Sequence, residues 1–114
     1  MKITRIEDLI IEVRGYDREV LRKITLSSVF DGLLDLLDTI LLQRISHTFH
    51  PVGETMVGII SASHLAIHTY PEFNYLYVNL NSCQPLPDLE QLRRFLGETL
   101  HADEVVIHRR SILL

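Results

Sequence analysis

Two histidines, a carboxylate, several hydroxyls and the chain's single cysteine crowd into GIISASHLAIHTYPEFNYLYVNLNSC, residues 58–83. Ser63, His64, His68, Glu72 and Cys83 can each attack a carbonyl or move a proton, but singly each has an ordinary explanation. His64 and His68 have the i, i+4 spacing of a helical metal pair. On a strand the same spacing sets them roughly 13 Å apart, too far for one zinc ion. His47 and His50 flank a strand end and read as surface residues. A lone cysteine is commonly a small apolar filler. A serine, a histidine and a cysteine together suggest a hydrolase, yet no nucleophile elbow and no third, orienting acid accompany them. Their concentration on two adjacent strands is what asks for an explanation.

The hydrophobic pattern outlines the scaffold that must position these groups. DLIIEVRGY (Asp8 to Tyr16) is apolar and β-branched, closed by Gly15, and reads as a strand. SSVFDGLLDLLDTILLQ puts Val29, Phe30, Leu33, Leu37, Ile40 and Leu41 at helical spacing, with Ser27 as N-cap and Asp31 as an early acid. QRISHTFHP reads as a strand ended by Pro51. VGIIS and SHLAIHTY read as one long or bent strand, with Leu65, Ile67 and Thr69 opposite His64, Ala66, His68 and Tyr70. PEFN is a turn, where Pro71 breaks the ladder and Asn74 accepts the left-handed backbone. YLYVNLNSC then alternates Leu76, Val78 and Leu80 against Tyr75, Tyr77, Asn79, Asn81 and Cys83. PDLEQLRRFLGETLH is a second helix, capped by Asp88 with Gln91 completing a capping box, and Leu89, Leu92, Leu96 and Leu100 inward. DEVVIHR is the last strand.

This order predicts an α+β fold, a two-layer sandwich of a mainly antiparallel sheet with two helices on one face. The free face would carry His64, His68, Tyr70, Tyr77, Asn79 and Cys83. It is too aromatic to meet water alone, so a partner is expected to cover part of it.

Composition narrows the function classes. A chain of 114 residues makes one domain, 1–114, with room for a real core. The net charge of −4 offers no basic footprint for nucleic acid. One cysteine excludes an internal disulfide and suits a reducing cytoplasm. No charged n-region and apolar h-region open the chain, and its apolar runs fall far short of the ~18 residues of a membrane span. The expectation is a cytoplasmic protein without membrane or nucleic-acid partners.

SHLAIHTYPEFNY followed by Cys83 closely resembles the core of the prokaryotic S-adenosylmethionine decarboxylases, which make a pyruvoyl cofactor from an internal serine. That family's pattern runs Glu-Ser-His-x-x-x-His-Thr-Trp/Tyr-Pro-Glu, then a short hairpin ending in Thr/Ser-Cys. Weaker likeness in YDREVL, TFHPVG and the closing helix and strand extends it over most of the chain.

The resemblance implies self-cleavage between Ala62 and Ser63. The Ser63 hydroxyl attacks the Ala62 carbonyl to give an ester, and β-elimination splits the chain and leaves a pyruvoyl group on the new N-terminus. It gives His68 the proton transfer of processing, provided the strand bends enough to bring it to the turn. Thr55 takes the place of an assisting hydroxyl where serine is usual. In the cleaved enzyme the pyruvoyl carbonyl would take up the substrate amine and accept electrons as carbon dioxide leaves. Cys83 matches the proton donor to the substrate carbon. Phe49 and Tyr70 match the pair that sandwiches adenine, and Glu72 the acid that holds the ribose hydroxyls. The implied substrate is S-adenosylmethionine, decarboxylated for spermidine synthesis. The implied assembly is a symmetric homodimer of processed protomers, with sheet faces or edges near the two-fold axis.

Some positions depart from the pattern. Ala62 stands where the family has glutamate, although the acyl shift needs only the backbone carbonyl there. TRIEDL replaces a Gly-x-His element found near the N-terminus of many relatives, and Asn74 replaces a glycine. Two other readings therefore stay in view. One is a pyruvoyl-dependent decarboxylase of a basic amino acid such as ornithine or arginine. The other is a paralogue that does not process and serves as a binding or regulatory partner. Processing separates the last from the rest, and substrate trials separate the first two.

Overall fold

The computed structural model describes residues 4–114. Strand β1 (Arg5–Arg14) is followed by helices α1 (Arg18–Ile24) and α2 (Leu26–Leu37) and strand β2 (Leu41–Thr48). Strands β3 (Glu54–Ile60), β4 (Ser63–Tyr70) and β5 (Tyr75–Ser82) come next, then helix α3 (Leu89–Thr99) and strand β6 (Glu104–Leu113). The strands form one six-stranded sheet in the order β2-β3-β4-β5-β1-β6. Every pairing is antiparallel. The α+β sandwich expected from the sequence is the fold observed.

Alternation builds the core. β1 buries Leu9, Ile11 and Val13, β4 buries Leu65 and Ile67, and β5 buries Leu76, Val78 and Leu80. They join Val29, Phe30 and Leu33 of α2 and Leu92 and Leu96 of α3 in one cluster. Each such side chain contributes roughly 1.5–3 kcal/mol by leaving water. Two glycines make the helix contacts possible. A Cβ on Gly58 would lie 2.7 Å from the Phe30 ring, and one on Gly32 would run into the Phe95 ring. Gly32, a weak helix former, is thus present because α2 and α3 meet there.

The core face ends in a charge. Glu7 is 2 % exposed, and its carboxylate accepts from Arg109 (2.9 Å) and Ser111 (2.6 Å). Those donors, the Arg109 bond foremost, hold its pKa at about 2, so it stays ionised and ties β6 to the end of β1.

Several details differ from the sequence expectation. VGIIS and SHLAIHTY are not one strand but the arms of a hairpin, β3 and β4, turning at Ser61 and Ala62. No Gly, Pro or Asn marks that turn, and Ile59 and Ile60 run straight into it, so local pattern does not reveal it. Helix α2 stops at Leu37, where Asp38 turns left-handed (φ +50°) and donates its N–H to Leu34 and Asp35. Ile40 and Leu41, although in helical phase, lie beyond that end, and Ile40 is 69 % exposed. The N-cap of α2 is Thr25 rather than Ser27, its hydroxyl accepting from the Ser28 N–H at 3.3 Å. Finally, α1 makes three α-helices instead of two. It buries no residue fully, so its seven residues carry too little apolar periodicity to be read. Asp88 caps α3 as expected, accepting from the Glu90 N–H at 3.0 Å. Gln91 donates its own N–H to the Asp88 carbonyl, so the expected capping box gives way to that bond.

Candidate active site

The residues singled out from the sequence gather at the two ends of β4. At its start, the Ser61–Ala62 turn holds the peptide that precedes Ser63. The Ala62 carbonyl accepts the backbone N–H of Cys83, just past the end of β5, at 2.9 Å. On its other side the Ala62 N–H donates to Thr39 Oγ1 at 3.2 Å. Ser63 itself has φ +153°, a backbone state L-residues avoid and one that costs roughly 1–3 kcal/mol. A serine hydroxyl thus adjoins a carbonyl that already has a donor on its oxygen, and strain sits at the joint. That is the arrangement an N-to-O acyl shift needs.

At the far end of β4, His68 pairs with Thr55 of β3 across the ladder. Its Nδ1 lies 3.0 Å from Thr55 Oγ1, which leaves Nε2 as the nitrogen able to take or give a proton. The ring packs against Tyr77, with centroids 5.7 Å apart. Burial pushes the His68 pKa below the ordinary histidine value, so at neutral pH the ring is a base rather than a cation. Tyr70, Glu72 and Phe49 are at this same end. Tyr70 closes β4, Glu72 sits in the 3-10 turn Pro71–Phe73, and Phe49 follows β2, held by its N–H to the Gly53 carbonyl (2.8 Å). Phe49 and Tyr70 are about half exposed. Tyr70 also opens onto a shallow aromatic cleft of about 370 Å³ with Phe73, Tyr75 and Tyr77.

The two ends do not meet within one chain. β4 keeps unbroken register with β3 from Ser63 to His68 and with β5 from Ser63 to Tyr70, so the bend expected to bring His68 to the turn is absent. Five extended steps separate Ser63 from His68 by about 16 Å. Regular pairing on both sides leaves the strand no freedom to fold back. The other histidines are engaged elsewhere or exposed. His64 Nε2 bonds Asn79 Oδ1 (3.1 Å), whose amide donates to Asp8 (3.2 Å) and the Leu9 carbonyl (3.0 Å). His47 stands edge-on to Phe49, and both His47 and His50 are at the surface, as expected.

The profile of the S-adenosylmethionine decarboxylase family matches residues 7–111. This chain belongs to that family. Among S-adenosylmethionine decarboxylase relatives, a proenzyme of Clostridium botulinum (strain Loch Maree / Type A3) is 37% identical over 68 residues, covering 60% of this chain and 59% of its own. One from Prochlorococcus marinus (strain MIT 9313) is 42% identical over 66 residues, 54% of this chain and 53% of its own. The aligned stretch thus spans little more than half of these relatives. The crystal structure of the adenosylmethionine decarboxylase from Aquifex aeolicus superposes with a TM-score of 0.79 at 18% identity, over 99% of this chain and 94% of that one. At that identity the likeness is one of fold.

Two parts of the candidate site were not legible in the sequence. The Cys83 backbone amide is a contact of the main chain and carries no residue signature. Thr39 reaches the turn only because α2 ends where it does, and the Asp38-Thr39 pair after the helical pattern was the one available hint.

Proposed function

We propose that this protein is a self-processing, pyruvoyl-dependent decarboxylase that converts S-adenosylmethionine to its decarboxylated form for spermidine synthesis. The observation that carries the reading is the Ala62 carbonyl, held by the Cys83 N–H beside a strained Ser63. Cleavage there is chemistry of the chain's own residues. Ser63 Oγ adds to the Ala62 carbonyl carbon while the Cys83 N–H stabilises the negative charge developing on the Ala62 oxygen. Breaking the peptide bond relieves the strain at Ser63. The new N-terminal pyruvoyl group would supply the electron sink for loss of carbon dioxide. Phe49 and Tyr70 would take the adenine, Glu72 the ribose, and the Cys83 thiol would return a proton to the substrate carbon. A free thiol in that role fits a reducing cytoplasm. No helix among the described residues is long and apolar enough to cross a membrane.

The purified protein is expected to resolve by intact mass into a fragment ending at Ala62 and one beginning with pyruvoyl. An uncut chain after long incubation, with no carbonyl-reactive fragment, would overturn this reading in favour of a non-processing paralogue.

The separation along β4 supports a site shared between two copies. If the outer sheet faces pack about a two-fold axis, the Thr55–His68 end of one copy can lie over the Ala62–Ser63–Cys83 end of the other. That face carries apolar surface for the contact, with Ile45 74% and Ile59 52% exposed. Sedimentation is expected to give about twice the 13.2 kDa chain mass at micromolar concentration. A monomer there would rule out the shared site.

A further inference from the structure

We propose that Thr39 is a positioning residue for chain cleavage, its hydroxyl working with that of Ser61 as a clamp on the Ala62 peptide. The proposal rests on the self-cleavage reading and adds to it a device outside the hairpin. Thr39 Oγ1 accepts the Ala62 N–H (3.2 Å) and lies 2.8 Å from Ser61 Oγ. Ser61 Oγ in turn accepts the Ile40 N–H at 3.1 Å, and the Ser61 N–H donates to the Ile40 carbonyl at 2.8 Å. The connection between α2 and β2 therefore grips the turn at three points. The Asp38 left-handed cap of α2 sets where Thr39 emerges, so the grip is anchored in the core.

The physical consequence concerns the reacting carbonyl. A peptide unit held only at its oxygen can still swing about the Cα–C and N–Cα bonds. The Thr39 and Cys83 contacts sit on the two peptide units that flank Ala62, so the carbonyl plane is fixed before the Ser63 hydroxyl attacks. The Ala62 side chain, a methyl buried in the core cluster, offers no polar group for this task. In the step concerned, the Ser63 Oγ–Ala62 C bond forms and the Ala62 C–Ser63 N bond breaks. The hydroxyl proton passes to the released Ser63 amine, and the product is an ester.

The test follows cleavage of freshly purified proenzyme, with and without hydroxylamine, which cuts the ester wherever it has formed. Thr39→Val is expected to slow cleavage on the order of 10–100-fold, the cost of loosening a reacting geometry. Hydroxylamine should not restore it, because the ester itself fails to form. Thr39→Ser, which keeps the oxygen, should process at close to the parent rate. Should Thr39→Val melt well below the parent, Ser61→Ala at the exposed turn carries the same test. Three results would overturn the proposal: valine cut at the parent rate, valine slow but cut by hydroxylamine at the parent rate, or serine no better than valine. A parent that never cuts removes the self-cleavage reading itself, which distinguishes that failure from the other three.

Discussion

His68→Ala is expected to remain one uncut chain by itself and to be cut when co-expressed with Ser63→Ala. The expectation comes from the register of β4, which keeps His68 about 16 Å from Ser63 in its own chain. A base at that distance cannot take a proton from the turn, so in the proposed shared site the imidazole comes from a second copy. The Ser63→Ala chain cannot cut itself but still offers an intact Thr55–His68 pair. Loss of a positioned acid–base group costs about 10²–10⁴-fold in rate, which would make the single variant inert on a laboratory timescale. Restored cutting of the His68→Ala chain alone, visible by tagging the two chains differently, is the signature of sharing. If His68→Ala cuts at the parent rate, the histidine has no part in processing. If the mixture stays uncut, His68 does not act across an interface. The direction of the His68 pKa adds a second readout. Burial lowers it, so the neutral base persists to a pH below the ordinary histidine range, and cleavage should fade only on further acidification.

Cys83→Ala is expected to separate the two activities. Cleavage draws on the backbone N–H of residue 83, which alanine keeps, so the chain should still divide between Ala62 and Ser63. In the proposed mechanism turnover draws on the thiol, which alanine lacks, and carbon dioxide release from S-adenosylmethionine should fall by about 10²-fold or more. Without a positioned donor, the proton would be free to go to the wrong carbon, which would transaminate the proposed pyruvoyl group to alanine and end activity. The mass of the larger fragment after incubation with substrate reports that change. A Cys83→Ala protein that cuts and turns over like the parent would make the thiol no more than a small filler. One that fails to cut at all would show that the side chain, and not only its amide, holds the turn.

Which side of the sheet each residue of a strand faces was legible in the amino-acid sequence, as was the stretch in which the candidate reactive residues crowd together. Side-chain type and period-two alternation are local properties, and Leu65 and Ile67 against His68, or Leu76 and Val78 against Tyr77, follow from them directly. The Ser-His…Cys pattern likewise falls on neighbouring strands, Ser63 and His68 on β4 and Cys83 just past β5. What local pattern could not supply was where the chain turns and what meets across it. The Ser61–Ala62 turn has no punctuating residue, the α2 helix ends against its own apolar phase, and α1 hides too little surface to show a period. Only tertiary structure decided that the Cys83 amide and the Thr39 hydroxyl converge on the Ala62 peptide. Those contacts join segments 21 and 23 residues apart, through strand pairing and helix packing. Only the unbroken β4 ladder decided that His68 cannot serve its own turn, because backbone hydrogen bonds on both edges hold a strand extended whatever its side chains require.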